Sequence, residues 1–156
     1  MKRFLYSMCL IVSMVVVNSC KSNDPEAQPA VVGTWKLNRI RFSGYPAPFT
    51  SLNADEASNQ YGFDGNFTVK SDKTFNETFN NNGRISDLDG TWEFTNNELQ
   101  LKYEDGSDDT YQLDTSREPI KLISTAAAAT DSLRNPQTNA VQAVPFKFQF
   151  IYEKQQ

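Results

Sequence analysis

Apolar and polar residues alternate along most of the chain between residues 33 and 152, as in β-strands with one buried face. The alternating segments are separated by short polar turns rich in Asn, Asp and Gly, which accept turn conformations. The pattern predicts eight strands, at residues 33–42, 61–70, 75–79, 85–95, 99–103, 111–113, 120–124 and 144–152.

The last of these strands has the most regular alternation. Its large apolar side chains all share one parity and therefore one face: Val144, Phe146, Phe148, Phe150 and Tyr152. We expect that face to point into the core.

The first strand changes parity midway. Trp35 and Leu37 share one face, whereas Ile40 and Phe42 fall on the other. A β-bulge near Asn38-Arg39 would return all four side chains to the same face, because a bulge inserts one extra residue.

Two longer segments interrupt the alternation. Residues 43–60 contain Pro46 and Pro48, and a helical turn is possible at residues 53–57, capped by Asn53. Residues 125–143 contain four consecutive alanines and are predicted to form either a short helix or a loose loop.

Short turns between consecutive strands predict an antiparallel meander with one apolar face. A sheet of eight such strands is usually closed, because closure removes its exposed edges. The predicted fold is therefore an all-β, eight-stranded, antiparallel up-and-down barrel. An interior of this size is either filled by side chains or holds one small ligand.

The N-terminal segment has the three regions of a secretory signal peptide. Lys2 and Arg3 precede an apolar stretch at residues 4–17, which is shorter than the ~20 residues that span a bilayer. Val17-Asn18-Ser19-Cys20 resembles the lipobox of bacterial lipoproteins. The resemblance implies a signal at 1–19 and a diacylglycerol with further acyl chains on Cys20, and the alternative is an ordinary secreted protein.

Residues 20–30 are polar and contain two prolines, so we expect a flexible tether between the lipidated Cys20 and a domain at 31–156. Lys21 stands where an Asp favours inner-membrane retention of lipoproteins. The resemblance therefore implies an outer-membrane address in a Gram-negative bacterium, on its periplasmic or cell-surface side. The acidic pair Asp24 and Glu26 resembles signals for export to that surface.

The composition excludes several kinds of site. The chain has no histidine, and Cys9 would leave with the signal while Cys20 is lipidated, so a Ser-His-Asp triad and a His- or Cys-based metal site are excluded. Loss of Lys2 and Arg3 leaves 13 of the 15 basic side chains against 19 acidic ones, a net charge of −6, which argues against a nucleic-acid partner. No cofactor is predicted.

Carboxylates are the remaining reactive groups. Asp87 and Asp89 share a strand face, where a glycosidase could use a pair of acids, but the core face of that strand belongs to Leu88 and Trp92. A second acidic group could bind Ca²⁺ or simply form a solvated turn: Asp105, Asp108 and Asp109. We therefore expect no catalytic activity and no metal site.

Gly33-Thr34-Trp35, at the start of the first strand, resembles the G-x-W motif that opens the lipocalin barrel, and Gly90-Thr91-Trp92 repeats it in mid-chain. The resemblance covers about residues 31–153. It implies that Gly33 and Trp35 lie at the closed end, with a cationic side chain over the ring; Lys154 is the nearest candidate. The last strand has no arginine and no helix follows it, so a different eight-stranded barrel or a two-sheet sandwich stays open.

The resemblance also implies a binding role. A lipid-anchored barrel of this type would hold a small hydrophobic ligand, with Tyr45, Phe49 and Tyr61 around the mouth. Further candidates come from the alternating aromatic faces: Phe67, Phe79 and Phe148. The alternative is a filled barrel whose long loops contact a protein or a glycan at the cell envelope.

Overall fold

The computed structural model describes residues 28–156; the predicted signal peptide, Cys20 and most of the tether lie outside them. The described chain forms ten strands: β1 Gly33–Ser43, β2 Asp55–Ala57, β3 Phe63–Val69, β4 Thr74–Asn81, β5 Arg84–Thr95, β6 Glu98–Tyr103, β7 Asp108–Asp114, β8 Lys121–Ser124, β9 Ala127–Arg134 and β10 Val141–Lys154. Two short 3-10 helices occupy Thr50–Leu52 and Ser58–Tyr61. None of the helices among these residues is long and apolar enough to cross a membrane.

Eight of the ten strands close into a barrel. Neighbouring strands are antiparallel in the order β1-β3-β4-β5-β6-β7-β8-β10, and β10 returns to pair with β1. Trp35 on β1 lies opposite Phe67 on one side and Lys154 on the other. The predicted all-β, eight-stranded antiparallel barrel is therefore confirmed.

The bulge predicted in the first strand is also confirmed. The β1–β10 register shifts between Leu37 and Arg39, and Ile40 beyond the shift is buried like Trp35 before it. The extra residue bends β1 and keeps its apolar side chains turned away from solvent.

Asparagine and glycine form the tight hairpins. Asn82 and Gly83, between β4 and β5, have φ values of 52° and 86°. Asn96 and Asn97, between β5 and β6, have φ values of 54° and 62°. Two consecutive positive φ angles match the right-handed twist of the flanking strands, and these residue types adopt them at low cost.

The main core lies inside the barrel and is built from the inward parity of each strand. Its buried side chains are Val31, Trp35, Leu37, Phe67, Val69, Phe75, Trp92, Leu99, Leu101, Tyr103, Tyr111, Leu122 and Tyr152. Burial of this apolar surface is the main favourable contribution to folding.

The helical turn predicted at residues 53–57 is wrong. Asn53 does not cap a helix; its amide side chain accepts a hydrogen bond from Tyr45 N at 2.9 Å and donates one to Tyr45 O at 3.2 Å. Arg41 forms a two-point ion pair with Asp55 at 2.7 and 2.9 Å, which holds the following residues against β1 as strand β2.

The prediction of a short helix or loose loop at residues 125–143 is also wrong. Ala127–Arg134 form β9, which pairs in unbroken register with residues 141–148 of β10. The alanines favour a helix in isolation, but the extended β10 offers eight residues a continuous backbone partner, and pairing overrides that preference. The barrel wall therefore carries a β-hairpin beyond its rim.

The two ends of the barrel differ. The closed end contains the start of β1, the β3–β4 turn and the end of β10, where Trp35 and Trp92 are buried. The open end contains the long loop after β1, the β4–β5 and β6–β7 turns and the β9–β10 hairpin.

Candidate functional site

The residues expected to close the barrel lie together. Trp35 is fully buried, and its indole Nε1 donates a hydrogen bond to Val31 O at 2.8 Å. Lys154 Nζ lies 5.5 Å from the Trp35 ring centroid and donates to Ala30 O at 2.6 Å. Gly33 has a φ of +134°, and a Cβ at that position would approach Lys154 Cε to 3.0 Å, so glycine leaves room for the lysine.

The repeated tripeptide, Gly90-Thr91-Trp92, places a second tryptophan at the closed end with the same kinds of contact; we call each of these buried tryptophans a plug. Trp92 Nε1 donates to Lys70 O at 2.8 Å, and Lys73 Nζ lies 3.9 Å above the Trp92 ring. Gly90 lets β6 and the Phe75 ring come close, since an added Cβ would collide with the backbone oxygen of Lys102. Each tryptophan therefore combines a satisfied indole N–H with a cation over its ring, which seals this end of the barrel.

The open end contains a cavity instead. Its volume is about 260 Å³. Residues from five strands and one turn line it: Glu77, Phe79, Ser86, Leu88, Tyr103, Ser107, Asp109, Tyr111, Phe150 and Tyr152. This volume is slightly below the usual range for small-molecule pockets, about 300–1,000 Å³, so the cavity suits a small ligand.

Phenylalanine rings form one wall of this cavity. Phe79 and Phe150 lie 5.7 Å apart between ring centroids in an edge-to-face arrangement. Phe63 packs beside both, at 6.1 Å from Phe79 and 5.5 Å from Phe150. Leu88, on β5 next to β4, is 37% exposed at the mouth. The cavity therefore presents an apolar and aromatic surface near solvent.

A buried carboxyl group occupies the inner part of the cavity. Glu77 is only 5% exposed. Its Oε2 contacts the Tyr103 hydroxyl at 2.7 Å, whereas its Oε1 has a single long contact, 3.4 Å from the Tyr152 hydroxyl. That second distance exceeds the 2.5–3.0 Å of a good O–H···O hydrogen bond. Within residues 28–156, no lysine or arginine pairs with Glu77.

The Tyr103 hydroxyl lies between two carboxyl groups. It contacts Glu77 Oε2 at 2.7 Å and Asp109 Oδ2 at 3.0 Å, but it has only one proton to donate. The hydroxyl can therefore donate to only one of the two carboxylates at a time, and the contact with Glu77 is the shorter.

Burial raises the pKa of Glu77 above its ordinary value of 4.5; the hydrogen bond from Tyr103 opposes the rise, and the charge of Asp109 adds to it. Burial also raises the pKa values of Tyr103, Tyr111 and Tyr152, so all three hydroxyls keep their protons. Glu77 is therefore an acid whose charged form is disfavoured by its surroundings, in a cluster whose three tyrosines are neutral.

A groove of about 400 Å³, no more open to solvent than the cavity itself, borders the cavity and shares three of its lining residues, Asp109, Tyr111 and Phe150. Phe148 lines the groove and packs 5.6 Å from the Phe150 ring. Among the described residues that line either space, none is a lysine or an arginine. The combined surface is aromatic and acidic.

The mouth residues suggested by the resemblance lie at a different place. Tyr45 and Phe49 are buried in a small second core under the β9–β10 hairpin, where Tyr45 stacks on Phe146 at 4.7 Å. Tyr61 is exposed and packs 4.9 Å from Phe42. Tyr45 and Tyr61 line a depression of about 400 Å³ outside the main core.

The other three predicted ligand-binding residues differ in how deeply they are buried. Phe79 lines the cavity, and Phe148 lines the adjoining groove. Phe67 is fully buried against Tyr111 and Tyr152, at 5.5 and 4.8 Å, and its role here is core packing.

Sequence reasoning did not identify Glu77 as a site residue. The sequence does contain a sign that Glu77 is buried. This acidic residue alternates with Phe75 and Phe79 on the strand face that points into the barrel. Tyr103, Asp109 and Tyr152 come from distant strands, and only barrel closure brings their side chains to Glu77.

The other acidic groups have local structural partners. Asp87 accepts a hydrogen bond from the Thr78 hydroxyl at 2.7 Å on the outer face. Asp105 closes the β6–β7 turn by accepting hydrogen bonds from Ser107 N and Oγ at 2.9 and 2.6 Å. In the described part of the chain, no group of three or more acidic, His or Cys side chains is arranged to hold a metal ion.

The sequence model of one protein family, described as a lipocalin-like domain, matches residues 31–117. The matched segment runs from the Trp35 plug through β7, and includes Glu77, Tyr103 and Asp109. No curated protein and no solved structure matches the chain.

Proposed function

The chain belongs to the lipocalin-like domain family, and from that premise we propose that it is a non-enzymatic binding protein whose open-end cavity holds a small, largely apolar ligand. The observation that carries the proposal is the contrast between the two ends. Buried tryptophans fill the interior at the closed end, where a space of about 450 Å³ is lined mainly by charged and polar side chains around the β3–β4 turn, β5 and β6. The open end leaves about 260 Å³ between side chains of five strands, with phenylalanine and leucine among its lining.

The residues that line the cavity support ligand binding as the reason for this space, in preference to imperfect packing of the core. Phe79, Phe150 and Leu88 offer apolar surface, and Glu77, Tyr103 and Asp109 offer a few convergent polar groups. Concave sites with that mixture are typical of small-molecule binding, in which apolar contacts give affinity and polar groups fix orientation.

The alternative, an interaction module acting through its long loops, is less favoured. That role would be supported by exposed aromatic side chains on the loop after β1. Tyr45 and Phe49 of that loop are instead buried under the β9–β10 hairpin. Tyr61, at the end of the loop, is 44% exposed.

The substitution Leu88→Trp tests the proposal. Leu88 lines the mouth of the cavity, so the larger indole ring should fill the space in which the ligand would bind. Titration of the full chain with phenethyl alcohol and with phenethylamine, followed by two-dimensional amide NMR, should shift resonances of Phe79, Tyr111 and Phe150 in the native protein. We expect Leu88→Trp to weaken binding of both probes about tenfold or more, since one blocked ring contact removes over 1.4 kcal/mol.

Ile85→Trp is the matched control. Ile85 lies on the same strand and is 66% exposed away from the cavity, so this change adds the same ring without blocking the mouth. Binding unchanged by Leu88→Trp, or no shifts at the lining residues with either probe, would refute the cavity.

We also propose that the protein is anchored by lipid on Cys20 to the outer membrane. The support is the order of a cationic start, an apolar segment, Val17-Asn18-Ser19-Cys20 and then Lys21 in the sequence. Two or three acyl chains give stable anchoring, at roughly 0.8 kcal/mol per buried CH₂.

Cys20→Ser should move the protein from the membrane to the soluble fraction, because serine cannot receive the thioether-linked diacylglycerol. Fractionation on a sucrose gradient, with Ser19→Ala as a control that keeps the small residue before the cleavage site, measures this. Membrane retention of Cys20→Ser would contradict the anchor.

A further inference from the structure

Among residues 28–156, those that line the cavity combine acidic groups with aromatic rings and include no lysine or arginine. Glu77 and Asp109 are its two carboxyl residues, and its other polar groups are hydroxyls. A buried carboxylate without a counter-ion is unfavourable, because it loses hydration and gains no pairing in return. An incoming cation would supply the missing partner.

Glu77 Oε1 is the atom that such a cation would meet. Oε2 is occupied by the Tyr103 hydroxyl at 2.7 Å, but the nearest donor to Oε1 lies at 3.4 Å. A side chain that is 95% buried therefore has an incompletely satisfied acceptor within the lining of the cavity. An ammonium group would donate the short hydrogen bond that Oε1 lacks.

The rings around the carboxyl group also favour positive charge. Tyr103, Tyr111, Tyr152, Phe79 and Phe150 line the same space. The faces of aromatic rings attract cations, more strongly where water is excluded. An anionic ligand such as a fatty acid would instead bring a like charge toward Glu77 and Asp109.

We propose that the ligand is a small organic cation, whose ammonium group binds Glu77 at Oε1 and whose apolar body lies against Phe79, Leu88 and Phe150. This inference rests on the proposed function of the same cavity. It specifies the chemical class of the ligand, which the fold alone leaves open.

Cation binding depends on the protonation state of Glu77. The groups that face Glu77 are Tyr103 from β6, Asp109 and Tyr111 from β7, and Tyr152 from β10; β5 contributes the uncharged Leu88 opposite it. Since the tyrosines stay neutral, Glu77 pairs with an ammonium group as its carboxylate, and where Glu77 is protonated its proton leaves to solvent when the ion pair forms. Affinity for a cation therefore rises with pH through the pKa of Glu77, while an alkylammonium stays charged to about pH 10.

Three probes of similar shape test the ligand class: phenethylamine, phenethyl alcohol and hydrocinnamate, which are cationic, neutral and anionic near neutral pH. Titrated into the full chain, the amine should bind about tenfold or more tightly than the alcohol, the usual value of one charge-assisted hydrogen bond. Hydrocinnamate should bind most weakly.

Glu77→Gln isolates the carboxyl group while keeping its shape. It should reduce the affinity for phenethylamine to that for phenethyl alcohol, leave the alcohol unchanged, and abolish the rise of amine affinity with pH. Glu93→Gln is the matched control, since Glu93 lies on the outer face in an exposed ion pair with Lys102 and should change neither affinity.

The outcomes separate the two proposals. Equal affinity for amine and alcohol in the native protein, with lining resonances shifted by both, overturns the cation inference and leaves the cavity function standing. Preference for hydrocinnamate also overturns it. Failure of all three probes to shift the lining residues overturns the proposed function and this inference together. If Glu77→Gln fails to fold, the pH dependence of amine binding in the native protein decides: a flat profile contradicts the inference.

Discussion

At the scale of single residues, Glu77 is where this barrel departs most from a packed interior. An ordinary core position on β4 would hold another phenylalanine, as Phe75 and Phe79 on either side do. The carboxyl group instead costs desolvation, which the Tyr103 hydroxyl offsets only in part. A residue that lowers stability in this way is typical of a binding site, where preorganised polar groups are kept for the ligand.

The raised pKa of Glu77 predicts how stability changes with pH. The native state holds the proton to higher pH than the unfolded chain does, so stability falls as pH rises from 4.5 to the raised pKa and is constant above it. Glu77→Gln cannot ionise and should remove that fall. We expect the variant to be more stable than the native protein near pH 8, with the difference shrinking toward pH 4.

Urea denaturation at several pH values measures this difference in unfolding free energy. Glu93→Gln again serves as the control, because Glu93 is exposed and the hydrogen bond from Lys102 lowers its pKa, so it has no burial cost to relieve. Glu93→Gln should therefore not be more stable than the native protein near pH 8. A Glu77→Gln variant that loses the same stability at every pH would show that the carboxylate is needed by the fold, contrary to this account.

At the scale of elements, the alternation of apolar and polar residues predicted most of the strands, because each of them has one face buried in the core. It also located the bulge at Leu37–Arg39, since parity must be restored for Ile40 to be buried. It failed at β2 and β9, where the decisive partner is distant in sequence. Arg41 holds Asp55 on β2, and β10 supplies the backbone partner for the alanines of β9. Neither contact leaves a periodic signal in the segment concerned.

The candidate site was less predictable than the strands. The tripeptides at Gly33 and Gly90 marked the two tryptophan plugs, and alternation placed Phe79 on the cavity face. The cavity exists because side chains from five strands do not completely fill one end of the barrel. Its volume depends on how they pack together and cannot be predicted from the sequence of any single strand. Its polar group also depends on closure, because Glu77 and Tyr152 lie 75 positions apart.

At the scale of the whole molecule, the two ends of the barrel differ: tryptophans fill the interior of the closed end, and the open end contains the cavity proposed as the binding site. Trp35 with Lys154 and Trp92 with Lys73 fasten the strand ends around the closed side. β1 begins at the closed end, so the proposed tether would join the barrel there and not at the open end.

The most direct measurement is a crystal structure of the full chain with phenethylamine bound. The account predicts that the ligand occupies the open-end cavity, with its nitrogen within hydrogen-bond distance of Glu77 Oε1 and its ring against Phe79 and Phe150. A structure in which side chains or ordered water fill that space while the amine lies elsewhere would contradict it.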